Sequence, residues 1–256
     1  HAKDYGITVK DAAADLSAVV KRSRDVAEGM SKGVQFLMKK NKIDVIMGTG
    51  KLARGKKVDV TDDKGSVTSY EADHIILATG ARAKALPNIP IDGVKVIEYR
   101  KAMVPDKLPK ALVVIGAGAI GVEFAYFYNA MGTKVTVIEY LEQGLVPRED
   151  PEISKELKRQ FTRSGIDVLG NTAVEKVDSS GKSIVVTAKD RKSGEIKEIT
   201  CDLVLSAAGV ASNIENIGLE TLGIKTDKGK VVVNQWYETN VAGIYAIGDI
   251  TEGPAL

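Results

Sequence analysis

The run Val113-Val114-Ile115-Gly116-Ala117-Gly118-Ala119-Ile120-Gly121-Val122-Glu123 constrains the fold more than any other stretch of the chain. An apolar, strand-like segment from Ala111 stops at Gly116, and helical spacing begins at Ala119. The glycines stand as G-x-G-x-x-G. The first permits a tight turn, the second lets a pyrophosphate approach the backbone, and the third lets the helix pack close on the sheet. Free N–H groups and the positive dipole end at the helix start favour phosphate. Residues 116–123 are therefore the candidate nucleotide turn. Glycine patterns of this kind are common alone, but here a second strand, Lys134 to Ile138, ends in Glu139. A carboxylate at that point accepts hydrogen bonds from both hydroxyls of an adenosine ribose and repels a 2′-phosphate. The expectation is an NAD-binding strand–turn–helix unit, with NAD preferred to NADP.

Composition removes other classes. The chain has 256 residues, enough for about two domains. Its hydrophobic fraction of 44%, charged fraction of 27% and net charge of +2 leave no basic block for nucleic acid or a membrane surface. No apolar run approaches membrane-spanning length, and no signal-peptide pattern opens the chain. One cysteine, Cys201, and two histidines, His1 and His74, argue against an internal disulfide framework, a metal cluster or a Ser-His-Asp triad. A reducing compartment such as the cytoplasm is expected. Without an initiator Met and without a finishing element, the chain reads as part of a longer one.

Upstream, Asp11 is a candidate cap for a helix whose apolar positions Leu16, Val19, Val20, Val26, Met30, Val34, Leu37 and Met38 recur at helical steps. Such a helix is expected to pack along a sheet, with Gly29 and Gly33 loosening or kinking it. Short β segments follow at Ile43–Met47, Lys56–Thr61, Val67–Ala72 and His74–Leu77, the last running into Ala78-Thr79-Gly80-Ala81. Pro87, Pro90, Pro105 and Pro109 punctuate a crossover. After the glycine turn, Asp150 and Pro151 open a second helix. A strand at Ile166–Leu169 and an antiparallel meander over 173–200 come next, and a buried strand from Asp202 ends at Gly209. Tyr245-Ala246-Ile247-Gly248-Asp249 then repeats the strand-and-small-turn ending seen at 75–81. Two such ends bracketing the nucleotide unit imply one domain interrupted by another.

With these segments in view, the chain resembles the two-dinucleotide-binding flavoprotein disulfide reductases. Val122-Glu123-Phe124-Ala125, 131–139, Asp4-Tyr5-Gly6-Ile7 and Asn216-Ile217-Gly218-Leu219-Glu220 resemble most the branch that oxidises protein-bound dihydrolipoamide. The resemblance covers essentially the whole chain. It implies an α/β fold in which a Rossmann-type NAD-binding domain, 110–241, is inserted into a partial, discontinuous FAD-binding domain. That domain would comprise 1–85 and a return strand, 242–256, with 86–109 as crossover. By resemblance, Asp249 would bind the ribityl chain of FAD, while Thr79, Gly80 and Ala81 would line the flavin site. Gly50 would admit the adenine end, and Ala255 and Leu256 would start the segment beneath the flavin ring. On the NAD side, Val174 would meet the adenine and Gly209 would lie near the nicotinamide half. Glu123 matches a glutamate that pairs, in the family, with a lysine beside the flavin.

The implied reaction carries electrons from dihydrolipoamide through a disulfide and FAD to NAD, in a homodimer serving the lipoyl domains of 2-oxo acid dehydrogenase complexes. The sequence holds no C-x-x-x-x-C pair, no second G-x-G-x-x-G for FAD and no catalytic His-Glu pair. This chain alone is therefore expected to bind NAD, to hold flavin weakly and to be inactive. Gly209-Val210-Ala211-Ser212-Asn213 stands where the family commonly has Gly-Arg-x-Pro-Asn, so a less rigid loop is expected. A sibling NAD-linked disulfide reductase and a non-catalytic NAD-binding module remain as alternatives.

Overall fold

The computed structural model describes residues 5–8, 10 and 13–253; Asp11, Ala255 and Leu256 lie outside them. Helix α1 (Leu16–Lys40) is capped by Asp15, whose carboxylate accepts from the Ala18 N–H at 3.2 Å. Lys21–Asp25 and Lys32–Glu28 pairs brace it one turn apart. It runs unbroken through Gly29 and Gly33. The expectation that it packs along a sheet is corrected: none of its residues is buried, and Val26, Met30, Val34 and Leu37 face outward. Caps, ion pairs and length sustain the helix, while no strand among the described residues covers its apolar stripe.

Strands β1 (Thr49–Ala53), β2 (Lys57–Thr61) and β3 (Val67–Glu71) form an antiparallel meander, followed by β4 (Ile75–Leu77) and β5 (Ala81–Ala83). The strand expected at 43–47 is absent, because β2 ends at Thr61 opposite Thr49 and nothing remains for 43–47 to pair with. Next come β6 (Val96–Ile97), helix α2 (Tyr99–Ala102), β7 (Ala111–Ile115), α3 (Ala119–Ala130), β8 (Lys134–Ile138), α4 (Pro151–Arg163) and β9 (Asp167–Leu169). A second meander, β10 (Thr172–Asp178), β11 (Ile184–Asp190) and β12 (Ile196–Cys201), leads into β13 (Leu203–Ser206) and β14 (Val210–Ser212). Helix α5 (Leu219–Leu222), the short pair β15 (Thr226–Asp227) and β16 (Lys230–Val231), and β17 (Ile244–Ala246) complete the order.

By internal packing the chain divides into two units, 1–34 with 85–209, and 35–84 with 210–256. The first is built on a five-stranded parallel sheet, order β6-β13-β7-β8-β9. Side chains alternate between its faces. Leu112, Val114, Val135, Val137 and Leu205 pack with Ala125 and Tyr128 of α3 and Phe161 of α4. Val113, Ile115, Ile138 and Val204 pack on the other side with Ile184, Val186, Ala188 and Cys201 of the second meander. The proline-punctuated stretch is drawn into this unit through β6, whose Val96 and Ile97 are buried. Tyr128 is buried within α3; its hydroxyl donates to the Ala102 carbonyl at 2.9 Å, and desolvation pushes its pKa up to about 12.

In the second unit, β17 lies parallel to β4, Ile244 opposite Ile75. Leu52, Ile75, Leu77, Leu219, Ile244 and Ile250 share its core. The two small-residue strand ends thus become sheet neighbours, and β14 pairs antiparallel with β5. No helix among the described residues is long and apolar enough to cross a membrane.

Candidate nucleotide-binding site

The glycine turn sits at the carboxyl ends of β7, β8 and β13, where parallel sheets bind ligands. Gly116 has φ +100°, and a Cβ there would stand 2.4 Å from the Ala207 carbonyl oxygen. Its N–H donates to the Ile138 carbonyl at 2.8 Å, tying the turn to the next strand. At Gly121 a Cβ would lie 2.0 Å from the Gly116 carbonyl oxygen, so helix and turn touch through bare backbone. Gly118 differs. It is the N-cap of α3, its φ is −71°, and a Cβ there would meet no protein atom within 4 Å. No side chain caps α3. The first turn therefore keeps N–H groups and open space together, which is what a pyrophosphate requires.

Glu139 follows β8 and is 7% exposed. One carboxylate oxygen accepts from the Ala117 N–H at 2.7 Å, the other from the Leu141 N–H at 2.9 Å. These bonds fix the carboxylate across the glycine turn. A carboxylate has about four acceptor positions, so each oxygen retains capacity for a ribose hydroxyl. The residues fit an NAD adenosine half on geometry and on charge.

Of the other expected NAD contacts, Val174 lies in β10 beside a bulge that begins there. It packs partly buried against the meander core. Gly209 follows β13 with φ +97° and open space around it. Glu123 is exposed on α3.

The described residues expected at FAD all lie in the second unit, Gly50 within β1 opposite Val60 and the others at the ends of β4, β5 and β17. The Thr79 hydroxyl donates to the Asn213 carbonyl at 2.6 Å, and the Asn213 amide returns a bond to the Thr79 carbonyl at 3.0 Å. The Asn213 N–H donates to the Gly80 carbonyl, and Ala81 pairs with Ser212. Ser212 Oγ and Lys230 Nζ both donate to the Asp249 carbonyl oxygen. Among the described residues no hydrogen bond occupies the Asp249 carboxylate, and Gly80 and Gly248 turn with positive φ into open space. Thr79 to Ala81 and Asp249 are thus joined through Ser212 and Asn213, with a free carboxylate suited to flavin hydroxyls.

The family model for pyridine nucleotide-disulphide oxidoreductases matches residues 5–256. The chain belongs to this family. The dihydrolipoyl dehydrogenase of Rhizobium etli is 44% identical over the whole chain and 56% of that protein, and the mitochondrial enzyme of Pisum sativum is 35% identical over 99% and 50%. Among solved structures, LpdA of Mycobacterium tuberculosis superposes with TM-score 0.88 at 28% identity, covering 100% of this chain and 55% of that one. The HOCl-induced flavoprotein disulfide reductase RclA of Escherichia coli gives 0.83 at 25%, covering 95% and 54%. The chain spans about half the length of these relatives.

Against the family's Gly-Arg-x-Pro-Asn pattern, the loop after Gly209 proves well held. Residues 210–212 are a strand, and Arg82 of β5 reaches across to it. Its guanidinium donates to the Ser212 carbonyl, to Asn213 Oδ1 and, as a fork at 3.0 and 2.7 Å, to the Glu215 carboxylate. Neither Arg82 nor Glu215 stood out in the sequence; the available signal was a charge two residues after Gly80 and another two residues after Asn213. The Arg82 hydrogen bond holds Glu215 down to about 2 from its usual 4.5. A depressed carboxylate stabilises above its unfolded pKa and loses that contribution as pH falls through the folded one. The tie is therefore expected to persist at pH 4 and to release toward pH 2. Following the Glu215 side-chain carbon by NMR through that range measures it.

Proposed function

We propose that this chain binds NAD(H) and is the nucleotide-handling part of a dihydrolipoyl dehydrogenase. The observation that carries the reading is Glu139 held by Ala117 and Leu141 N–H groups across the open first turn of α3. The identity to dihydrolipoyl dehydrogenases supports the enzyme class. In this reading, 116–121 seat the two phosphates, Glu139 takes the adenosine hydroxyls, and Val174 and Gly209 flank the two ends of the dinucleotide. Bound NAD supplies a hydride acceptor, while this chain orients it through neutral backbone donors and one carboxylate. In the longer protein, Thr79, Gly80, Ala81 and Asp249 would hold FAD. Protein-bound lipoyl groups would be its substrate, a second copy its partner, and the cytoplasm or mitochondrial matrix its place.

The 256-residue chain is expected not to turn over dihydrolipoamide alone. Its one cysteine, Cys201, is buried beneath the meander, and desolvation pushes its thiol up to about 11. A thiol so placed is protonated and shielded. We expect a thiol reagent at pH 8 to label Cys201 only after guanidinium unfolds the protein; rapid labelling of the folded chain contradicts this. The function itself is tested by calorimetric titration. NADH should bind saturably and NADPH at least about tenfold more weakly. Absence of heat with NADH, or equal affinity for NADPH, overturns the reading.

A further inference from the structure

The corner 139–141 is held by two paired segments of the second meander, the start of β10 and the residue after β11. The Thr172 N–H donates to the Glu139 carbonyl at 2.9 Å, and the Asn171 N–H to the Leu141 carbonyl at 3.0 Å. Between them, Arg191 Nη1 donates to the Tyr140 carbonyl at 3.0 Å. Three successive carbonyls are satisfied by neighbouring groups, and only the middle one depends on a side chain. That side chain also stacks, with the Arg191 guanidinium carbon 3.9 Å from the Tyr140 ring centre. Asn171, at φ +52°, turns its Oδ1 to accept from the same Nη1 at 3.3 Å.

Arg191 is itself held in place. Its N–H donates to the Asn171 carbonyl at 2.8 Å, just beyond the Thr172–Asp190 pairing that ends the β10–β11 ladder. The hairpin tip is closed by the Asp190 carboxylate, which accepts from the Lys192 and Ser193 N–H groups at 2.8 and 2.7 Å. An exposed arginine therefore emerges from a fixed turn with its guanidinium carbon already over the Tyr140 ring. All its contacts are to neutral groups, and no ion pair engages it among the described residues. Its placement serves the corner.

The link to chemistry runs through Leu141. Its N–H holds Oε1 of Glu139 while the Ala117 N–H holds Oε2. Tyr140 lies between the carboxylate and that donor, so any motion of Tyr140 moves one of the two N–H groups that aim Glu139. We propose that Arg191 is a positioning residue for adenosine-ribose recognition, acting through Tyr140 to hold the Glu139 carboxylate at the angle the 2′-hydroxyl meets. The proposal rests on the reading of this site as an NAD site.

The test uses the 256-residue chain, with NADH and its analogue lacking the adenosine 2′-hydroxyl as probes, titrated against wild type, Arg191→Ala, Arg191→Lys, Glu139→Gln and the Glu139→Gln/Arg191→Ala double variant. Arg191→Ala should weaken NADH by about five- to twentyfold and the 2′-deoxy analogue, which keeps only the 3′-hydroxyl bond to Glu139, by less than half of that factor. Arg191→Lys, which keeps the charge and loses the planar fork, should restore only part of the NADH affinity. In the Glu139→Gln background, Arg191→Ala should have no further effect. A general structural loss, or attraction of the guanidinium for the pyrophosphate, would weaken both ligands alike. Equal weakening, or no weakening, overturns the proposal and leaves the NAD site standing. Failure of the wild type to bind NADH overturns the site reading and the proposal with it.

Discussion

Gly121→Ala is expected to destabilise the nucleotide-binding unit by about 3 kcal/mol and to remove NADH binding. The added methyl would stand 2.0 Å from the Gly116 carbonyl oxygen, with the Gly116 carbonyl carbon at 3.0 Å. Both belong to backbone that is itself hemmed in. Gly116 cannot retreat without breaking its bond to the Ile138 carbonyl or closing on Ala207. Helix α3 must therefore lift from the sheet, opening the packing of Ala125 and Tyr128 on Val114 and Val137. For a unit of this size the loss corresponds to roughly 6–12 °C in melting temperature. Gly118→Ala is the informative contrast. Its methyl meets no protein atom within 4 Å and its φ of −71° suits any residue, so the fold should keep its stability to within about 1 kcal/mol. The same methyl occupies the space left for phosphate, and NADH affinity should fall more than about tenfold. Scanning calorimetry beside NADH titration separates the two. A Gly121→Ala chain that melts with the wild type, or a Gly118→Ala chain that binds NADH normally, contradicts the geometry described.

Glu139→Ala should show the second large effect. Its Ala117 partner is buried, and losing the acceptor leaves that N–H without a bond, at a cost of about 1–3 kcal/mol. The ribose contacts disappear as well. NADH affinity should drop by about a hundredfold, and the preference over NADPH should vanish because the charge that repels a 2′-phosphate is gone. Parallel titrations with the two nucleotides measure both. Retained discrimination in the alanine variant would mean that another group makes the choice.

Local chemistry made the centre of the molecule readable. Glycines at 116, 118 and 121 with an apolar strand before and a carboxylate-ended strand after can form few structures, and Asp150-Pro151 marks its helix by cap and ring. Elements that depend on a distant partner were harder to read. Ile43 and Val45 alternate as a strand would, yet the turn fixed by Asp62, which accepts from the Lys64 and Ser66 N–H groups, ends β2 before it can reach them. Val96 and Ile97 form an edge strand only because Val204 and Leu205 lie beside them. Around them, four prolines made the stretch look like a linker. In the site, Glu139 was visible from its place at a strand end. Asn171 and Arg191 were not, because nothing near them in sequence names the corner they hold. Asn213 was read only for the Arg and Pro missing around it, while its bonds to Thr79 and Gly80 come from the turn between β4 and β5, far upstream.

The pairing of β4 with β17 has a consequence for the order of events on the ribosome. Ile75 leaves the exit tunnel long before Ile244, and the whole of 85–209 is synthesised between them. That intervening stretch contains every strand of its own sheet and can assemble while translation continues. The other unit has to wait, its early half holding β4 without its β17 partner until that strand emerges. Long-range pairing of this kind is slow, and an unpaired apolar edge is open to wrong associations meanwhile. Folding helpers engaged during synthesis should therefore dwell on 49–84 rather than on the glycine turn.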